Sequence, residues 1–268
     1  MGKEATMPKK DPFEKPDPET LLEIVKNLEK RWGVTLVSFL PSDAQERIVQ
    51  LQYEISKLWN GQIDDAMREA RPYVKFYEPR QFHCTHLTLT RSTPKGPIQR
   101  EAFVREGHHL SELFGKIHRV TSQIHPINVE LDHMRISHDR LGIILLGECS
   151  DDISAKYRER LLVELNESLI ESFDISLRSW DSDPSQFHKF HCALGYLKRP
   201  VPQTYQVFVE EIKSIKFPPI TFTLESVSLV HHRYRSLAYP QEGEVDFPLG
   251  QKINMTANKF VDSMNLAP

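Results

Sequence analysis

A chain of 268 residues with 39% hydrophobic and 26% charged side chains can bury a sizeable core, as one large domain or two lobes. Its net charge of −3 removes the case for tight, non-specific nucleic-acid binding over the whole surface, while leaving room for a local basic cleft that takes a nucleotide or an RNA end. Cys84, Cys149 and Cys192 are an odd set without a Cys-x-x-Cys pair, which argues against a disulfide framework and for a reducing compartment. No apolar run approaches the roughly 20 residues that span a bilayer. The opening MGKEATMPKKDPFEKPDPE has no apolar stretch of the secretory kind. The expectation is a cytoplasmic protein with no membrane partner.

Residues 1–17 are Lys, Pro, Asp and Glu with few apolar side chains, which predicts a disordered tail. Asp17-Pro18-Glu19 has the form of a helix start, and Leu21, Leu22, Ile24, Val25 and Leu28 follow at helical spacing. GVTLVSFLP (33–41) is apolar, β-branched and bounded by Gly and Pro, and predicts a buried strand. Ser42 with Gln45 three residues on predicts a helix start, and Ile48, Leu51, Ile55 and Leu58 mark its apolar face. Residues 60–81 are mixed and polar, a loop that covers a site. QFHCTHLTLTR (81–91) predicts a second strand, followed by a helix around 98–116. PINVELDHMRISHDRLGIILLGEC (126–149) predicts two strands joined by a turn near His138-Asp139-Arg140. A helix over 151–173, a strand at 187–198, a short helix at 202–215, one long strand over 220–235 and a partner at 245–250 complete the pattern, with a polar tail over 251–268.

Strands and helices alternate, and each half of the chain offers a strand of the form Phe-His-x-x-His. This predicts an α+β domain over 18–250: two similar lobes of small antiparallel sheet with outer helices and a cleft between them. In strict alternation, His86 and Thr88 of His86-Leu87-Thr88-Leu89 point to one face while the leucines anchor the core. His191 and Ala193 of His191-Cys192-Ala193-Leu194 share a face in the same way. Two such strands put two imidazoles beside one phosphate. One, neutral, takes a proton from attacking water, and the other, protonated, donates to the leaving alkoxide. The Thr88 hydroxyl binds a non-bridging oxygen. This chemistry needs no metal and no cofactor.

These motifs resemble those of the two-histidine (2H) phosphoesterases, particularly the 2′-5′ RNA ligase-like and cyclic phosphodiesterase (LigT-like) branch. His86-Leu87-Thr88-Leu89 matches the His-hydrophobic-Thr/Ser-hydrophobic pattern in full, and FHKFHCAL (187–194) matches its frame. The flanking NVELD (128–132), GIILLGE (142–148) and SVSLV (226–230) stand in matching order, so the resemblance covers roughly residues 33–250. It implies a bilobal fold and hydrolysis of a 2′,3′-cyclic or 2′-linked nucleotide phosphodiester, with His86 and His191 as base and acid and Thr88 on the phosphate. Ala193 departs from the pattern by lacking the second hydroxyl, which favours, as the alternative, a non-catalytic nucleotide or RNA-end binder.

The remaining candidates are weighed on their own chemistry. His83-x-x-His86 and His188-x-x-His191 put their imidazoles on opposite faces of a strand, so neither pair is expected to share a zinc ion. A cysteine nucleophile needs a lowered pKa and a paired base; Cys192 points away from the His191 face and Cys84 shares the His86 face, so Cys84 is the better candidate of the two, but neither is the expected nucleophile. His231-His232-Arg233-Tyr234-Arg235 is the most basic run, and Arg233, Tyr234 and Arg235, with Tyr196, are candidate substrate-binding residues at a cleft rim. The expected partner is the nucleotide or RNA-end substrate, and the expected state is a monomer.

Overall fold

The structure is a computed structural model that describes residues 33–61, 74–91, 107–136, 142–173, 187–197, 205–232 and 243–251. Nine strands are described: β1 (Gly33–Phe39), β2 (Val74–Phe76), β3 (His83–Arg91), β4 (Ile127–Ile136), β5 (Gly142–Cys149), β6 (Lys189–Leu197), β7 (Ile220–Leu224), β8 (Ser226–His232) and β9 (Gly243–Pro248). Four helices accompany them: α1 (Ser42–Gly61), α2 (Gly107–Thr121), α3 (Asp152–Phe173) and α4 (Tyr205–Ser214). The predicted N-terminal helix, the start of the helix expected at 98–116, the turn at 138–140 and both tails lie outside the described residues.

The strands form one antiparallel sheet in the order β7-β4-β5-β6-β3-β1-β8-β9, with β2 paired to β6. The expected two lobes are therefore two halves of one sheet. They meet where β6 and β3 pair, at Cys84 opposite Cys192. The halves are not the first and second halves of the chain, because β8 and β9 return to the side of β1 and β3. The strand expected over 220–235 is two strands, β7 on β4 and β8 on β1. A single residue, Glu225, joins them. One residue spans only about 3.5 Å, so β7, at one end of the strand order, comes close to β8, next to last at the other, and the sheet curls. The polar stretch 60–81 also differs from the expected loop. It holds β2 and a turn of 3₁₀ helix at Pro79–Gln81, whose start is closed by Glu78 and Gln81.

One apolar cluster unites the molecule. Ala44, Ile48, Leu51 and Ile55 of α1, Phe114, Ile117 and Val120 of α2, Leu161, Leu162 and Leu165 of α3, and Ile212 of α4 all pack into it. The strands contribute alternate residues: Ile220, Phe222 and Leu224 of β7 are buried while Thr221 and Thr223 are exposed. All four described helices enter this cluster and so pack on one face of the sheet; the opposite face carries half-buried side chains on β3 and β6 and the fully buried Val37 and Val230 on β1 and β8.

Candidate active site

β3 does not alternate strictly. Thr85 pairs with Val37 and Leu87 with Leu36, so His86 is the extra residue of a β-bulge. The bulge sends two neighbouring side chains, His86 and Leu87, to the helix-covered side, where both are buried. There the His86 ring meets Phe190 edge-on at 6.0 Å. Arg158 of α3 donates from Nη1 to His86 Nδ1, lies 3.8 Å above the Phe190 ring and reaches the Lys189 carbonyl at 3.2 Å. The Ser38 hydroxyl donates to the Ser226 carbonyl at 2.5 Å and so accepts from His86 Nε2–H at 2.7 Å. This buried chain runs from α3 through β3 and β1 to β8.

Both nitrogens of His86 are thus engaged. Burial, and then the Arg158 charge, hold its pKa well below the ordinary histidine value, so the ring is neutral. The structure does not bring His86 and His191 to one face: His86 lies in this buried chain on the helix side, while His191, between the buried Phe190 and Cys192, turns to the other side of the sheet. The physical reason is the inserted residue, which breaks the two-residue period that the expectation relied on.

A different pair comes together. The tripeptide Phe-His-Cys occurs twice, at 82–84 and at 190–192. Phe82, Cys84, Phe190 and Cys192 are all buried in the core cluster. His83, Thr85, His191 and Ala193, the residues between and beyond them, are half-buried on the face opposite the described helices. The Cys84–Cys192 pairing sets His83 across from Ala193 and Thr85 across from His191. The two histidines then stand on the diagonal of an antiparallel pair, roughly 7–8 Å apart at the backbone. His83 and Thr85 were missed because the motif frame was set on His86. The repeated Phe-His-Cys is the signal that finds them.

His83 is oriented by its own strand entry. Its Nδ1 lies 2.7 Å from the Gln81 carbonyl, which only accepts, so Nδ1 carries the proton and Nε2 carries the lone pair. Burial lowers its pKa, partly offset by that hydrogen bond, and keeps the ring neutral near pH 7. Phe39, its ladder partner on β1, meets it edge-on at 6.2 Å. Val37, Val230 and Phe39 form a small apolar cluster apart from the main core.

The other expected residues fall elsewhere. Tyr196 is buried in the core cluster against Tyr77, with ring centroids 5.8 Å apart, and so is not on the face of His83 and His191. The shift between Ile143 and Ile144 in the β5–β6 ladder is the local cause. Thr88 stands opposite Thr35. The Thr88 side chain and the residues Arg233, Tyr234 and Arg235 lie outside the described residues. Burial pushes the Cys84 thiol up to about 12 and Cys149 up to about 11, and raises Cys192 well above its ordinary value. None of the three is a thiolate near neutral pH. Among the described residues, no three His, Cys, Asp or Glu side chains gather as a metal-ligand set. No described helix is long and apolar enough to cross a membrane.

No family model matches the chain, and no curated protein matches it. Solved structures resemble it in architecture. TT0787 of Thermus thermophilus is 20% identical, over 81% of this chain and 98% of that one, with a TM-score of 0.46. E. coli LigT complexed with NADP+ is 14% identical, over 82% and 99%, with a TM-score of 0.44. The conserved protein of unknown function ATU0111 from Agrobacterium tumefaciens str. C58 is 13% identical, over 83% and 87%, with a TM-score of 0.49.

Proposed function

We propose that this protein is a metal-independent phosphodiesterase acting on 2′,3′-cyclic or 2′-linked nucleotide or RNA phosphodiesters, with His83 and His191 as its acid–base pair. The observation that carries this reading is the repeated Phe-His-Cys motif, which stands on adjacent antiparallel strands and turns two half-buried histidines to the face opposite the four described helices. His83, neutral and with Nε2 unprotonated, is the general base toward water. His191, across from Thr85, is the general acid toward the leaving oxygen. The Thr85 hydroxyl donates to a non-bridging oxygen as charge develops there.

Purified protein incubated in EDTA with 2′,3′-cyclic nucleotides and 2′-5′ oligonucleotides tests this. Turnover is expected, and His83→Ala and His191→Ala should each abolish most of it. Ala193 favours one second reading, a nucleotide or RNA-end binder without turnover. Saturable binding with no hydrolysis across the panel is its signature.

A further inference from the structure

The missing hydroxyl at Ala193 leaves one half of the site short of a phosphate donor, and the sheet register brings another one near. Ladder partners run in one row from β4 to β1: Arg135 opposite Ile144, Ile144 opposite Ala193, Ala193 across from His83, and His83 opposite Phe39. The preceding pair, Met134 and Leu145, is buried in the core, so Arg135 and Ile144 turn to the face that carries His83 and His191. A register shift after Leu131 makes this so, because both Asp132 and His133 are exposed before the pattern resumes at Met134.

We propose that Arg135 binds the substrate phosphate in the Ala193 half of the site, in place of the absent hydroxyl. The proposal deepens the phosphodiesterase reading and rests on it. Arg135 stands two strands from Ala193, about 10 Å at the strand spacing, a span that a long arginine side chain and a phosphate can bridge together. Its Nε is shut off from solvent and has no hydrogen-bond partner among the described residues. Two acids of these strands are engaged elsewhere, Asp132 with His133 at 2.6 Å and Glu148 with His188 at 3.7 Å, and Glu130 stands five residues back along β4. A buried donor without an acceptor is costly to keep. The Nε–Nη edge of a guanidinium is a two-donor fork that matches two phosphate oxygens. A hydroxyl supplies one neutral donor at this position, whereas arginine supplies a charged pair.

The test measures hydrolysis of a 2′,3′-cyclic nucleotide and its inhibition by inorganic phosphate. Arg135→Gln should raise KM and weaken phosphate inhibition by about tenfold to a hundredfold, with the melting temperature held. Arg135→Lys should recover part of the loss, and Ala193→Thr should rescue Arg135→Gln more than it improves the parent protein. Arg119→Gln, which removes the same charge from an exposed position on α2, should change neither quantity. Unchanged KM and phosphate inhibition in a folded Arg135→Gln would overturn the proposal. If the parent protein turns over nothing, phosphate binding read by calorimetry still decides it. Loss of that binding in Arg135→Gln supports the anion site while hydrolysis falls, and retention refutes the site.

Discussion

Replacing His86 by alanine should destabilise the fold rather than switch off its chemistry, and the contrast with His83 makes the prediction sharp. His86→Ala removes a buried imidazole together with its hydrogen bonds to Arg158 and Ser38. Losing a bond to a charged group costs roughly 1.5–3 kcal/mol, and stranding the Ser38 hydroxyl adds about 1 kcal/mol. The cavity left beside Phe190 brings the total to roughly 3–5 kcal/mol. At about 2–4 °C per kcal/mol for a domain of this size, the melting temperature should fall by roughly 10 °C or more. His83 is half-buried and holds one backbone acceptor, so His83→Ala should cost about 1 kcal/mol of stability. It should lower kcat by about 10²–10⁴-fold through loss of the base. Urea titration and cyclic-nucleotide hydrolysis on both variants separate the two roles. A fully stable but inactive His86→Ala, beside an active His83→Ala, would refute the assignment.

Acid should weaken the fold through the same two histidines. Both folded pKa values lie below the unfolded value near 6.5, so the unfolded chain binds more protons there. Their contribution is present above pH 6.5 and is lost as the pH falls from it, by up to about 1.4 kcal/mol per unit for each group. His86→Gln should flatten the pH dependence of the unfolding free energy. For the same reason the acid limb of kcat/KM should lie below pH 6.5, and a limb at or above that value would remove His83 as the base. Iodoacetamide at pH 7 should leave Cys84 and Cys192 unmodified in the native protein and label them after unfolding, read by mass spectrometry. Gly195→Ala puts a Cβ 2.6 Å from the Lys75 carbonyl, so β2 should detach from β6 and the melting temperature should drop.

Much of this molecule can be read from patterning alone. The apolar spacing along 42–61 and 152–173 and the alternation in β4, β5 and β7 locate elements and their buried faces, because burial rewards the same residues wherever the element docks. The repeated Phe-His-Cys, with phenylalanine and cysteine in the core and histidine between them, needs no tertiary information to be seen. The choice between His83 and His86 was not decided there. Both frames contain a histidine and a threonine two residues on, and a one-residue bulge opposite β1 exchanges the face each presents. Strand order was equally hidden. A single residue, Glu225, separates β7 from β8, and only the curl of the sheet assigns them to β4 and β1. Local sequence thus determined which segments are strands and which side chains seek the core. Long-range pairing, set by register shifts and curvature that no local window records, decided which histidines share a face and that Arg135 joins their row.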